Sequence, residues 1–284
     1  MELIDFQYEF NKHVKQWITE NMSQCENIDE IENLLPELYM KWIYSPLKIL
    51  NNLSPELYFQ QYKDPKHLID YMLAYIEADM KIPDLLFDHM TALGKKAEDQ
   101  LVFMLSFNDQ DEKANIRRQQ NAKVVIIQLL NEMQAEAPMN DYIQIIASRN
   151  HVDEIADAAA QALENLGRKI VDPILQTLYE SKNIDAIECF LDIIVNYSGD
   201  ERVFNFLVTM LTHIHDKKSL YANYLGKYGD ERAIPILQKL LNDSDIDYLE
   251  YIQIRNAIEE LGGNVDIVRE FKGDLYYEKL QKNK

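Results

Sequence analysis

Two histidines separated by one residue, His213 and His215, form the one histidine cluster of the sequence. Imidazole nitrogens are common ligands of zinc and iron, so such a pair could supply part of a metal site. Residues two apart point to different faces of a helix, and a third ligand would have to come from elsewhere. The cluster therefore predicts solvated side chains at a helix end rather than a metal centre.

A calcium loop is the second candidate, because Asp243, Asp245 and Asp247 alternate as at the start of an EF-hand loop. In such a loop the sixth position is glycine and the twelfth is glutamate. Here these positions hold Tyr248 and Ile254. The segment therefore predicts an acidic turn between helices, and the sequence predicts neither a metal nor another cofactor.

Acid–base chemistry could be sought in a repeated tetrapeptide, Gly-Asp-Glu-Arg, which occurs at 199–202 and 229–232. A structural role explains these residues better. Asp200 and Asp230 are predicted to cap helix N-termini, and the glycines to permit a tight turn. The arginines are predicted to reach a carboxylate of the neighbouring repeat. No nucleotide-binding glycine loop, nucleophile elbow or zinc-protease motif occurs, so no catalytic residue is assigned.

Charge and cysteine content limit the classes of function that remain possible. The formal net charge is −19, residues 1–100 hold 9 basic against 18 acidic side chains, and the first arginine is Arg117. Nucleic-acid binding needs clustered basic residues, so it is unlikely here. Cys25 and Cys189 are predicted to be reduced and largely buried. The sequence shows neither a signal peptide nor a membrane span, and a cytoplasmic location is expected.

Helices must position all of these residues. Glycine and proline number 8 each among 284 residues, too few for a protein of many short strands. Apolar residues recur at helical spacing, as in the stripe Leu68, Tyr71, Met72, Tyr75 and Ile76. Asp64-Pro65 predicts a helix start, and Leu-Gly pairs predict helix ends at Leu93, Leu166, Leu225 and Leu261. The predicted fold class is all-α.

The helical pattern is also repeated. Residues 93–105 align with 166–178 at an offset of 73, and the Gly-Asp-Glu-Arg pair recurs at an offset of 30. Such offsets are typical of stacked helical hairpins, which bury their apolar faces only against their neighbours. Residues 229–241, followed by Ile254-Arg255 and Leu261-Gly262, resemble the HEAT-like repeat of the phycobilisome-lyase type. The resemblance is close at 199–262, good at 151–181 and looser at 83–150.

This resemblance implies a right-handed α-solenoid of about five to six hairpins over residues 83–284. Residues 1–82 are predicted to form an aromatic-rich N-terminal helical cap, with one continuous domain as the alternative. HEAT-like deoxyhypusine hydroxylases bind iron through His-Glu dipeptides, which this sequence lacks. The aromatic segments 39–46 and 53–62 are predicted to pack onto the first hairpin, and the alternative is a partner-binding surface.

The favoured function is a non-catalytic scaffold that binds a protein or peptide on a concave groove. An acidic surface around a mostly neutral groove favours a partner with a basic or amphipathic segment. The alternatives are an enzyme or enzyme accessory of the chromophore-lyase type and, less favoured, a HEAT-like DNA glycosylase. Alignment of the repeats places these residues in the groove: Gln100, Phe103, Phe107, Pro173, Gln176, Asn205, Val208, Pro235 and Gln238.

Overall fold

Helices joined by short turns make up the chain. The computed structural model describes residues 2–21, 28–106, 116–149, 153–214, 217–242, 245–265 and 269–282. Within these ranges there are sixteen α-helices and no β-strand. The predicted all-α fold is therefore confirmed for the described chain.

Backbone packing divides the chain into two units, Met1–Asp141 and Tyr142–Lys284. The first unit contains α1 (Phe6–Asn21), α2 (Ile28–Ile43), α3 (Pro55–Tyr58), α4 (Pro65–Glu77), α5 (Asp84–Ala92), α6 (Lys95–Ser106) and α7 (Ile116–Glu132). Helix α8 (Met139–Ala147) begins just before the division. The predicted cap of residues 1–82 lies within the first unit, and its boundary stays a prediction about where the repeats begin.

The second unit continues with α9 (Glu154–Asn165), α10 (Val171–Glu180), α11 (Ile184–Ile194), α12 (Glu201–His213), α13 (Lys218–Tyr228), α14 (Ile234–Leu241), α15 (Tyr248–Glu260) and α16 (Leu275–Lys282). Two of these helices are preceded by a single 3-10 turn, Gly167–Ile170 before α10 and Glu231–Ala233 before α14. These turns let the chain bend before the next helix begins.

Aromatic side chains form much of the core of the first unit. Trp42 and Phe59, from the two aromatic segments, are almost fully buried. Tyr75 is also buried, and its hydroxyl donates to the carbonyl of Ile4 at 2.8 Å, which fixes the chain ahead of α1. Tyr44 differs from these residues because its side chain stays exposed. Most of the aromatic content of segments 39–46 and 53–62 therefore serves packing.

Local signals set most of the helix ends. Asp64 caps α4 by accepting from the backbone N–H of Lys66, and Pro65 begins the helix. The Leu-Gly pairs at Leu93, Leu166 and Leu261 end α5, α9 and α15 as predicted. The prediction for Leu225 is wrong, because α13 continues through Gly226 to Tyr228 and ends at Gly229 instead.

Helices of the second unit form two rows. One row consists of α9, α11, α13 and α15, with α9 packed on α11 and α13 packed on α15. Helices α11 and α13 are joined by a hydrogen bond from the Tyr224 hydroxyl to the Glu188 carbonyl at 3.2 Å. In the other row α10 packs on α12, with the rings of Tyr179 and Phe206 edge to face at 4.9 Å. Helix α14 follows α12 in this row, joined to it by an ion pair described below. The buried faces of the two rows share a core that includes Phe190 and Leu163.

Candidate functional site

The two Gly-Asp-Glu-Arg segments build a ladder of ion pairs along the α10–α12–α14 row. Gly199 and Gly229 both have φ of +80°, the left-handed conformation that favours glycine. The following aspartates, Asp200 and Asp230, accept the backbone N–H of the residue two further on, at 3.1 and 3.0 Å. Both predicted N-caps are therefore confirmed, and each glycine sets the direction in which its helix begins.

The arginines connect neighbouring helices, as predicted. Arg202 Nη1 lies 2.6 Å from the Asp172 carboxylate of α10, and Arg232 Nη2 lies 2.8 Å from Glu201 of α12. The Arg232 guanidinium also lies over the Phe204 ring, 4.4 Å from its centroid. The two arginines together thus link three successive helix starts at matching positions, which holds the row in register.

The electrostatics of the ladder exclude a role for its two aspartates as general acids at neutral pH. The side-chain hydrogen bond from Arg202 lowers the pKa of Asp200, and that from Arg232 lowers the pKa of Asp230. Both carboxyls are therefore ionised at neutral pH, and a general acid needs a proton to give. These residues position helices rather than reactants.

Replacing Asp200 by alanine is expected to cost about 1–2 kcal/mol of the free energy of unfolding at pH 7, as for the loss of an N-cap. The pKa of Asp200 is lower in the folded than in the unfolded protein. The ionised carboxylate therefore gives its full stabilisation above about pH 4, and this stabilisation is lost as the pH falls through the pKa of the folded state. The difference in free energy of unfolding between the wild type and Asp200→Ala should therefore become smaller below about pH 4. Urea unfolding at pH 7 and pH 3 measures this difference. An equal difference at both pH values would contradict the proposed role of the ion pair.

The predicted groove residues of the second unit all lie on the α10–α12–α14 row. Gln176, Asn205 and Pro235 are exposed, and Pro173, Val208 and Gln238 are partly exposed. None of these six is buried, and Gln238 Nε2 donates to the Asn264 carbonyl at 3.4 Å. The repeat alignment therefore places them on solvent-facing positions of three successive helices. Their use as a binding surface stays a prediction.

Helix α6 of the first unit carries two further groove candidates, Gln100 and Phe103. Phe103 is 66% exposed and Gln100 is also exposed, while Phe107 lies outside the described residues. The aligned positions of α6 and α10 agree in burial: Leu101 matches the buried Ile174, and Phe103 matches the exposed Gln176. The alignment at an offset of 73 thus pairs positions with the same environment.

The two rows of the second unit differ in charge. Beyond the paired first turns, the exposed middle of α10 and α12 is uncharged, with Asn205, Val208 and Thr209 at its centre, and α14 adds the exposed cation Lys239. The opposite row is acidic: Asp157, Glu164 and Asp192 act on Cys189, and with burial as the main cause they raise the pKa of its thiol to about 11. Cys189 is therefore a protonated, half-buried thiol at neutral pH, while Cys25 lies outside the described residues.

The structure describes only some of the candidate metal ligands. His213 is exposed at the end of α12, where its Nδ1 lies 2.8 Å from the Thr209 carbonyl. Asp247 caps α15 in a reciprocal arrangement with Glu250, as a structural turn residue does. His215 and Asp243 fall outside the described residues. Among the residues that the structure describes, no three His, Cys, Asp or Glu side chains are grouped to hold a metal ion.

Comparison with known families gives a match in the segment that contains Gly229 and Arg232. Residues 222–243 match the sequence profile of the family described as PBS lyase HEAT-like repeat. The chain carries a HEAT-like repeat. No curated protein and no solved structure gives a significant match.

The HEAT-like repeat runs from the second turn of α13, through the Gly229 turn, to just past the end of α14. It contains Arg232, the arginine that pairs with Glu201 of the preceding helix. The resemblance expected from residues 229–241 is therefore confirmed. No helix in the described ranges is both long and apolar enough to cross a bilayer.

The opposite row contains contacts that sequence reasoning missed. Tyr224 donates to Asp192 Oδ1 at 3.1 Å, and burial together with the nearby Asp192 and Glu188 raises its pKa well above the usual range. Lys227 pairs with the same aspartate at 3.2 Å and lies over the Tyr224 ring. No motif marks these contacts, since they join α11 to α13 across more than thirty positions of sequence.

Proposed function

We propose that the protein is a non-catalytic scaffold that binds a protein or peptide on the exposed face of the α10–α12–α14 row. The observation that carries this proposal is the largely uncharged surface, with Lys239 at its α14 end, on three successive helices whose first turns are joined by the Arg202 and Arg232 ion pairs. Repeat arrays bind partners over such extended surfaces. The remainder of the chain is proposed to continue the array as a right-handed solenoid of about five to six hairpins.

The partner is proposed to carry a basic or amphipathic segment. The net charge of −19 draws cations toward the protein as a whole, and the middle of the α10–α12 face provides uncharged short-range contacts away from Lys239 of α14. Gln176 and Asn205 offer amide groups that both donate and accept hydrogen bonds, and Tyr179 adds an aromatic ring that is 59% exposed. The proposed location is the cytoplasm.

Neither catalytic alternative gains support from the described residues. The matched profile is named after a lyase, but the match covers one repeat, and the residues matched here include a helix cap and an ion pair. A glycosylase would need basic side chains near its aromatic residues. In the first unit Tyr39 instead has the carboxylates of Asp84, Asp88 and Glu56 nearby.

The variant Asn205→Arg tests the proposal against a matched control, Asn223→Arg. Both asparagines are exposed on helices of the second unit, but Asn223 belongs to α13 in the opposite row. A long cation at the centre of the proposed surface should weaken binding of a basic peptide at least about tenfold, since it adds bulk and like charge. The control should retain binding.

Peptides selected from a random display library against the wild-type chain provide the probes, and fluorescence anisotropy gives the dissociation constants. Selected peptides should be enriched in lysine and arginine, and their affinity should fall with added salt. Peptides that tolerate Asn205→Arg but lose binding with Asn223→Arg would move the site to the acidic row and contradict the proposed surface.

A further inference from the structure

A cleft in the first unit brings together three segments that are distant in sequence. It is lined by the start of α1, by Tyr39 and Trp42 of α2, and by the chain entering α5 at residues 81–85. Its volume is about 120 Å³. A cavity of roughly 150 Å³ holds a benzene molecule, so this cleft accommodates a head group of about five heavy atoms.

Aromatic rings form one wall of the cleft. Phe10 and Tyr39 meet edge to face with ring centroids 5.2 Å apart, and Trp42 lies 5.3 Å from Phe10. Phe10 and Tyr39 are only partly buried, so parts of their surfaces remain open to a ligand. Aromatic faces attract cations, and the attraction grows when the cation loses its water.

Trp42 adds its ring to the same wall. The residue is 2% exposed, and its Nε1 is buried without a hydrogen-bond partner among the described residues. An indole N–H cannot donate to a cation, since a cation offers no acceptor. Trp42 therefore contributes its ring surface, and not its N–H, to the cleft.

Negative charge surrounds the opening. Asp5 and Asp84 line the cleft, and Asp5 uses Oδ1 to cap α1 through the backbone N–H of Tyr8 at 2.8 Å. Burial, and then the charges of Asp84, Asp88 and Glu56, raise the pKa of the Tyr39 hydroxyl. The nearby cation is Lys81, which pairs loosely with Asp84 at 3.7 Å, and both side chains are largely exposed. Four carboxylates against one lysine leave the opening acidic.

We propose that this cleft binds an alkylammonium group, the head group of a lysine side chain on a partner and, more tightly, of its N-methylated form. The aromatic wall takes the methyl groups and the apolar stem, while Asp5 and Asp84 neutralise the charge. An anion would be repelled by the carboxylates at the opening, and a neutral apolar group would gain nothing from their charge. The site lies in the first unit and does not depend on the α10–α12–α14 surface.

Lys81 provides a test that distinguishes this site from a simple apolar cleft. Its ammonium competes for Asp84 and repels a second cation, so Lys81→Gln should tighten binding of the ligand about threefold. Asp84→Asn should weaken binding by about the same factor. Asp70→Asn is the matched control, because Asp70 is an exposed aspartate of α4 that does not line the cleft.

The measurement uses the full chain with Trp17→Phe, which leaves Trp42 as the single tryptophan and its fluorescence as the readout. The probes are the Nα-acetyl methylamides of Nε-trimethyl-lysine, lysine and norleucine. The trimethyl-lysine probe should bind at least about fivefold more tightly than the neutral norleucine probe. Tyr39→Leu should abolish this preference, since Tyr39 supplies part of the aromatic wall.

Equal binding of the norleucine and trimethyl-lysine probes would overturn the proposal, as would equal losses in the Asp84→Asn and Asp70→Asn variants. If Tyr39→Leu does not fold, Lys81→Gln still tests the proposal. The Lys81 side chain is exposed, so replacing it leaves the core intact. No change, or weaker binding, in that variant would contradict the assigned role of Asp84.

Discussion

Phe190→Ala is expected to lower the free energy of unfolding of the second unit by about 3–5 kcal/mol. Phe190 lies on α11 and has no exposed surface, so its truncation removes apolar contacts and leaves a cavity between the two rows of helices. Phe103→Ala is the matched control, because Phe103 is 66% exposed on α6. The same substitution there should change stability by no more than about 0.5 kcal/mol.

Chemical unfolding followed by far-UV circular dichroism measures both variants. Both tryptophans, Trp17 and Trp42, lie in the first unit, so their fluorescence follows the Phe103 variant but not the Phe190 variant directly. A loss of several kcal/mol for Phe103→Ala would show that this ring is packed in solution and would remove it from the candidate binding residues. A loss below about 1 kcal/mol for Phe190→Ala would contradict the packing of the two rows.

Features that depend on a few neighbouring residues could be predicted from the sequence. Asp64-Pro65 and Asp200 each satisfy free N–H groups at a helix start, and the residues that do this are local to the cap. The reach of Arg202 to the preceding helix was also predictable, since the Gly-Asp-Glu-Arg repeat fixes where each arginine stands relative to its cap. When a local pattern is repeated along the chain, it also predicts which residues of successive repeats contact each other.

Features that depend on distant segments were not predictable in the same way. The cleft of the first unit joins Phe10, Tyr39 and Asp84, which share no motif and belong to three different helices. The sequence indicated aromatic-rich segments at 39–46 and 53–62 but not that Phe6 and Phe10 complete their packing. Only the packing of α1 on α2 brings these rings together.

The wrong helix end at Leu225 has a physical explanation in the packing of α13 on α15. Three Leu-Gly pairs end helices because their glycines, such as Gly94 and Gly167, adopt positive φ. Gly226 instead stays helical, and the left-handed position falls to Gly229. A Cβ at Gly226 would lie 3.0 Å from Ala257 Cα and 3.1 Å from Ala257 Cβ. This glycine is therefore required by the close approach of two helices, which no local pattern reveals.

Gly226→Leu should consequently destabilise the second unit by about 1–3 kcal/mol or more, as overpacking does. Helix propensity alone predicts the opposite sign, because leucine is favoured over glycine inside a helix by roughly 1 kcal/mol. Asn223→Leu on the same helix is the control, since Asn223 is exposed and gains propensity without a clash. Urea unfolding by far-UV circular dichroism should therefore show a loss for the first variant and little change or a gain for the second. If Gly226→Leu were instead as stable as wild type, α13 and α15 would have to lie farther apart than the contacts of Gly226 with Ala257 allow.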